Sequence, residues 1–191
     1  MSDSNADRAR IRLRRLATHE LTAAEVEAVR ELLADAFASD DEDEHFTEDD
    51  WQHAIGGVHF VLDVGGEILA HASVVERELH VGGRTPRTGY VEAVATAPAH
   101  QGTGLGSAVM REVGSYIQER FELGALGTGS QGFYERLGWL IWRGPSSVRT
   151  ADGTVRTPEE DGYILVLPTP ASPPLDLTAP ISCEWRSGDV W

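Results

Sequence analysis

The stretch HQGTGLGSAV, residues 100–109, constrains this chain more than any other. Gly102, Gly104 and Gly106 lie between a strand-like run ending near Thr96 and a helical pattern beginning near Gly104. A helix N-terminus carries unpaired N–H groups and the positive end of the helix dipole. Glycines in front of it let a ligand approach the backbone closely and permit positive φ. Together these features make a phosphate cradle. No Lys-Ser/Thr pair follows, so this is not a Walker-type loop. The glycine spacing also differs from a dinucleotide fingerprint, and the preceding strand closes a meander instead of opening a βαβ unit. Glycine spacing of this kind also occurs in plain turns.

The rest of the chain supplies the frame for that loop. TAAEVEAVRELLADAF (22–37) has Thr22 as N-cap and Glu25 three residues on, the capping-box pattern, with Val26, Val29, Leu32, Leu33 and Phe37 at helical spacing. An acidic loop (38–50) leads to a short helix (49–57), capped by Asp49 or Asp50 and stopped by Gly56-Gly57. Three strand-like runs, 58–64, 67–81 and 88–96, then form an antiparallel meander, the first two joined by Gly65-Gly66. A helix over 104–120 and a strand over 122–128 suggest a crossover and parallel pairing. A short helix (132–138), two more strands (139–149 and 161–168) and a Pro-rich extended tail follow. The expectation is a flexible tail over 1–10 and one α+β domain over 11–191, built on a mixed sheet.

Composition narrows the function classes. The 191 residues carry a net charge of −15, which makes the chain a poor general partner for nucleic acid. No apolar run approaches the length of a membrane span, and the N-terminus has no apolar stretch of the kind a secretory signal needs. A single cysteine, Cys183, permits neither an internal disulfide nor a cysteine zinc site, and the seven histidines show no paired ligand spacing, so no metal is expected. The reading is a cytoplasmic protein. Its carboxylates cluster: Asp40, Asp41, Glu42, Asp43, Glu44, Glu48, Asp49 and Asp50 in one stretch, Glu159, Glu160 and Asp161 in another. Such a field attracts cations, although blocks of like charge are also ordinary solvated loops.

Glu92 is the only charged residue in the apolar strand YVEAVAT (90–96). Strand alternation puts it on one face with Tyr90 and Val94. A half-buried carboxylate of raised pKa there could act as a general base, directly or through water. The alternative is a surface glutamate at a sheet edge.

QGTGLG (101–106) resembles the Q/R-x-x-G-x-G/A pyrophosphate loop of the GCN5-related N-acetyltransferases, and the element order fits that fold over nearly the whole chain. The resemblance implies a mixed, mostly antiparallel sheet flanked by helices, with a β-bulge and strand splay at an acetyl-CoA site. It assigns Gln101, Gly102, Thr103, Gly104, Leu105, Gly106 and Ser107 to the coenzyme pyrophosphate. It assigns Val94, Ala95 and Thr96 to the pantetheine arm and acetyl carbonyl, the Val94 N–H polarising that carbonyl.

GYVEAVA (89–95), LGAL (123–126), FYERLGW (133–139), RTPEEDG (156–162) and WRSGDVW (185–191) resemble, more narrowly, the aminoglycoside 2'-N-acetyltransferases, from about the first helix to Trp191. This resemblance implies acetylation of a drug amine, hence antibiotic resistance, by a homodimer. Glu92 would be the base and Tyr134 the acid beside the coenzyme sulfur; as a bare sequence feature, Tyr134 could equally be a core aromatic beside Trp139. Asp50, Glu92, Ala93, Glu160 and the carboxylate of Trp191 would meet the cationic substrate, with residues 170–191 as an extended segment contributing to that site. Two departures stand out: His45 replaces a family aspartate, for which Glu44 or Asp43 could substitute, and Gly127 stands where a substrate-contacting serine is expected, beside Thr128. The alternatives are another cationic acceptor, such as a cell-wall amino sugar or polyamine, and an acyl-CoA-binding module without catalysis.

Overall fold

Two β-sheets frame this molecule, and the helices cover apolar faces of the larger one. The computed structural model describes residues 10–38 and 45–191. Residues 1–9 of the tail expected over 1–10, and the carboxylates from Asp40 to Glu44, lie outside the described residues. In chain order the strands are β1 Ile11–Ala17, β2 Val58–Val64, β3 Glu67–Glu78, β4 His80–Val81, β5 Arg87–Thr96, β6 Leu123–Gly127, β7 Leu140–Ile141, β8 Ser146–Thr150, β9 Gly153–Arg156, β10 Ile164–Pro168 and β11 Ile181–Glu184. The α-helices are α1 Ala23–Ala36, α2 Glu48–Ala54, α3 Leu105–Arg120 and α4 Gln131–Glu135.

A seven-stranded sheet runs in the order β1-β2-β3-β5-β6-β10-β7. Its pairs are antiparallel except β5–β6, where the α3 crossover returns the chain parallel. The α+β expectation therefore holds, with the meander and the crossover where the sequence put them. β1 was not foreseen, because Arg14 and Arg15 interrupt its apolar alternation. The two arginines point to opposite faces: Arg14 bonds Glu25 of α1 at 2.6 Å, and Arg15 reaches Glu112 and Glu119 of α3 at 2.7 and 2.9 Å.

Two expected strands divide. The run 67–81 ends at Glu78, and His80–Val81 joins a second sheet, β4-β11-β8-β9. The run 139–149 likewise splits between the sheets as β7 and β8. The tail expected to be extended ends in β11, which pairs parallel with β8. The cap of α2 is also different. Thr47 is its N-cap and Asp50 closes the capping box, accepting from Thr47 N and Oγ1, each at 2.8 Å.

α3 packs Val109, Met110, Val113 and Ile117 onto Phe60, Leu62, Ala70, Ala72, Val74 and Val91 of the large sheet. Each of the Val, Leu, Ile, Met and Phe side chains among them contributes about 1.5–3 kcal/mol on full burial. α1 and α2 cover Ala95 on the other face with Val29, Leu33, Trp51 and Ala54. Leu79, Tyr90, Trp142, Ile181, Cys183 and Trp191 form a third cluster joining the second sheet to the first. Among the described residues no helix is long and apolar enough to cross a membrane.

Candidate active site

The site begins with a flaw in the β3–β5 ladder. Ser73 pairs with Glu92 and His71 with Ala95, so two residues of β5, Ala93 and Val94, face only Ala72. This is a β-bulge, and Ala93 takes φ +51° to make it. The extra residue shifts the side-chain phase. Glu92 keeps the face of Tyr90, as alternation predicts, but Val94 turns to the opposite face and packs with Val91 in the α3 core. The expected common face for Glu92 and Val94 is thereby corrected.

On its other side β5 pairs with β6 only from Thr88–Leu123 to Tyr90–Ala125. Beyond that point the two strands part. Val91 to Thr96 and Leu126 to Ser130 then line a cleft of about 1130 Å³. The bulge and the splay thus lie where the resemblance implied them.

α3 delivers its N-terminus into the same cleft. Gly102 and Gly104 adopt φ +75° and +94°, the latter as the N-cap. The first helical bond is made by Ala108 N to Gly104 O at 3.0 Å. Among the described residues no side chain caps the helix. Its first N–H groups are therefore available to an anion. Gly106 serves a different purpose: a Cβ there would sit 2.8 Å from Thr96 Oγ1. Its absence lets the helix start pack directly on the splayed strand. Gln101, Gly102, Gly104, Gly106 and Ser107 line the cleft, while Thr103 and Leu105 do not. Thr103 instead bonds His100 O at 2.5 Å. Arg136, at the end of α4, also lines the cleft and makes no ion pair among the described residues. It lies in the quoted FYERLGW motif, and its charge was the signal that sequence reasoning left unused.

Glu92 reaches the cleft with a side chain only 13% exposed. Burial raises its pKa to about 7, against the pull of Arg186 and Arg77 and with a further push from Asp189. Arg186 Nη1 donates to Glu92 Oε1 at 2.5 Å, and its other nitrogens bond Asp189 O and Trp191 O at 2.7 and 3.2 Å. Arg186 and Asp189 were both missed as site residues. Tyr134 lines the cleft as well, its ring edge-on to Phe133 and Trp139. Burial pushes its phenol up to about 12, so near neutrality it keeps its proton. Tyr134 is thus a core aromatic that also borders the cleft.

The expected substrate residues are partly gathered. Asp50, Ala93 and Trp191 line the cleft beside Glu92, and so does His45. Asp50 is at the same time occupied through Oδ2 in capping α2. Glu160 lies outside the lining, half-buried on a 3-10 turn, where burial and then Asp189 and Glu159 raise its pKa. Glu44 lies outside the described residues. A Cβ at Gly127 would stand in ordinary van der Waals contact with the Trp191 main chain at 3.4 Å and Tyr90 Oη at 3.5 Å, so the position expected to carry serine abuts the C-terminal segment. That segment is pinned to α2 by Ser187 Oγ donating to Asp49 Oδ2 at 2.8 Å, and to the small sheet side by Trp191 Nε1 donating to Thr157 Oγ1 at 3.0 Å. Among the described residues no group of three His, Cys, Asp or Glu is arranged to hold a metal ion.

The cleft thus combines bare helix N–H groups and the Arg136 cation at one end with a set of carboxylates around Glu92, whose pKa lies near 7, at the other. Residues 17–142 match the acetyltransferase (GNAT) domain model. The chain is 42% identical over 178 residues to an aminoglycoside 2'-N-acetyltransferase of Mycolicibacterium fortuitum, covering 91% of this chain and 89% of that protein. Its fold superposes on a GNAT acetyltransferase from Brucella melitensis, solved with acetyl-CoA, with a TM-score of 0.59 at 18% identity over 87% and 93% of the two chains. It also superposes on a GCN5-related N-acetyltransferase from Kribbella flavida, with a TM-score of 0.58 at 23% identity. That match covers 74% of this chain, which spans only about a third (36%) of the Kribbella protein. With the bulge, the splay and the glycine-capped helix all in place, the chain belongs to the GCN5-related N-acetyltransferase family.

Proposed function

We propose that this protein transfers the acetyl group of acetyl-CoA to the 2'-amine of an aminoglycoside. One observation carries the reading: a single cleft holds both the bare N-terminus of α3 and the buried carboxylate of Glu92. The first suits a pyrophosphate and the second an amine that must lose a proton. The 42% identity to the Mycolicibacterium enzyme supports the choice of acceptor. The fit to the coenzyme rests on the absent Gly106 side chain, the uncapped N–H groups and the unmatched Arg136.

On this reading Gln101, Gly102, Gly104, Gly106 and Ser107 hold the pyrophosphate, and Val94, Ala95 and Thr96 line the acyl arm. Glu92 takes the proton from the substrate ammonium, because only the free amine has a lone pair to attack the thioester carbonyl. The Val94 N–H steadies the oxygen of that carbonyl as charge develops on it. As the C–S bond breaks, the Tyr134 hydroxyl gives a proton to the sulfur, and the second proton, lost by the acylated nitrogen as the amide forms, replaces it on the phenolate through solvent. Asp50, Ala93 and Trp191 orient the polycation, with Asp189 added to them and Glu160 contributing only its charge from outside the lining. Residues 11–191 act as one catalytic unit, and we carry a homodimer in the cytoplasm into the same reading.

The test is thiol release from acetyl-CoA across two acceptor panels. One holds 2'-amino aminoglycosides matched to 2'-hydroxyl analogues, and the other polyamines and amino sugars. Turnover confined to the 2'-amino drugs is the expected result. Turnover with the second panel alone would transfer the same chemistry to a different cationic amine.

A further inference from the structure

The bulge that shapes β5 is stabilised by groups the proposed chemistry does not use. Among the described residues Ala93 is the one non-glycine with positive φ. Such a conformation costs about 1–3 kcal/mol and persists only when its surroundings hold it. Alanine has no side chain with which to hold itself. Its carbonyl is held instead, by His71 Nδ1 at 2.8 Å. His71 Nε2 meets His59 Nδ1 at 2.9 Å, and His59 Nε2 meets Thr18 Oγ1 at 3.0 Å. Both histidines are fully buried. The contacts run from the end of β1 through β2 and β3 to β5, beneath Trp51 of α2, whose ring lies 6.0 Å from that of His59.

The direction of every bond follows from the first. Burial lowers the pKa of His71 to about 3 and of His59 to about 4, so both rings are neutral near pH 7 and each has one N–H. A carbonyl only accepts, so the proton of His71 is on Nδ1 and its Nε2 accepts. His59 must then carry its proton on Nδ1 and present Nε2 as an acceptor to the Thr18 hydroxyl, whose single proton also has Gly57 O within 3.3 Å, farther than the 3.0 Å to Nε2. Thr18 Oγ1 in turn accepts from Gly56 N at 2.9 Å. No member can reverse without leaving a buried group unpaired, which costs about 1–3 kcal/mol.

We propose that His71, with His59 behind it, is a positioning residue of the transfer site. Its Nδ1–H locks the Ala93 carbonyl, and with it the bulge that sends Glu92 to one face and Val94 to the other. The inference rests on the reading of Glu92 and Val94 given above. It concerns residues that touch neither coenzyme nor acceptor.

Three variants test it. His71→Leu keeps bulk and removes the donor; kcat falls roughly 10–100-fold, the scale expected from a misplacement of about an ångström. KM for acetyl-CoA, set largely at the glycine loop, changes far less. His71→Asn keeps a donor near the Nδ1 position and recovers most of the loss. Ala93→Gly in the His71→Leu background also recovers kcat, because glycine takes φ +51° without help. The acid limb of the pH profile stays where it is, since neither histidine titrates there. A His71→Leu enzyme with unchanged kcat overturns the proposal, as does a loss that neither Asn nor the added glycine relieves. If His71→Leu does not fold, histidine nitrogen NMR of the wild-type protein decides: two Nδ1–H tautomers support the chain, and an Nε2–H tautomer at His71 overturns it. Glu92→Gln keeps the two readings apart. Undiminished turnover in that variant refutes the base assignment and leaves the tautomer result standing.

Discussion

Arg186 Nη1 lies 2.5 Å from Glu92 Oε1, and the two residues are 94 positions apart in the chain. Both side chains are about 14% exposed or less, so solvent screens the pair weakly. The guanidinium opposes the burial that raises the Glu92 pKa, and the balance leaves it at about 7. Arg77, on β3, pulls the same way, and Asp189 pushes against both. Arg186 also lies 5.8 Å over the Tyr90 ring, which fixes the plane from which it approaches.

Removing Arg186 therefore has a defined sign. Without the cation, burial and Asp189 act with less opposition and the carboxyl pKa rises above about 7. The proposed base must be ionised to accept a proton, so the acid limb of kcat/KM moves to higher pH in Arg186→Met. A shift of about one unit or more is expected for the loss of an adjacent opposite charge. Arg186→Lys keeps the charge and recovers most of the shift. A pH profile of kcat/KM checks this, and an unmoved limb would show that Glu92 is not the titrating group.

Gly106 and Thr96 form a second testable pair. Gly106→Ala places a Cβ 2.8 Å from Thr96 Oγ1, which forces the helix start away from the splayed strand. Overpacking of this kind costs about 1–3 kcal/mol. KM for acetyl-CoA should rise while the melting temperature falls. Thr96→Ala in the same chain removes the offending oxygen and should restore both. Isothermal titration with coenzyme A and a melting scan read the two effects separately.

What the sequence revealed and what it hid divide along the range of the interaction. The Thr22–Glu25 box and the glycine loop are local patterns: the first appears with its reciprocal bonds, and the second with positive φ at Gly102 and Gly104 directly before α3. The meander was legible because two-residue turns and alternation lie within a few positions of each other. The second sheet was not, since β11 pairs with β8 across some thirty-five residues and neither run alternates strongly. Glu92 stood out as a charge in an apolar strand. Its partner Arg186 did not, because nothing local connects a C-terminal arginine to β5. The bulge was expected only through the family resemblance, and its place at Ala93 was hidden because a positive φ at alanine leaves no mark in the sequence, whereas at glycine it does.

Arg136 carries a prediction about the anionic end of the cleft. It is exposed, so its contribution is screened, and exposed ion pairs give about 0.2–1 kcal/mol. Arg136→Ala should raise KM for acetyl-CoA by roughly 2–5-fold at low ionic strength, on that energy scale. The difference from wild type should shrink at high salt, as Debye screening requires. KM for the acceptor should not move. Initial rates at two salt concentrations are sufficient, and a salt-independent effect would point to altered folding of α4 instead.

Asp50 holds two roles that a pair of substitutions can separate. Its Oδ2 accepts from Thr47 N and Oγ1 to cap α2, and its carboxylate lines the cleft. Asp50→Asn keeps an oxygen acceptor and so keeps the cap, losing only its charge at the helix N-terminus, about 0.3–1 kcal/mol. Asp50→Ala loses the reciprocal bonds as well, at a further cost of about 1 kcal/mol. If the charge serves the acceptor, both variants raise KM for a polycationic amine to a similar extent, while only the alanine variant lowers the melting temperature appreciably. If Asp50 is solely a cap, the asparagine variant keeps the wild-type KM. The comparison also bears on Trp51, whose placement over His59 depends on α2 keeping its first turn. A fall in kcat confined to Asp50→Ala would then report, through Trp51 and the histidine pair, on the bulge at Ala93.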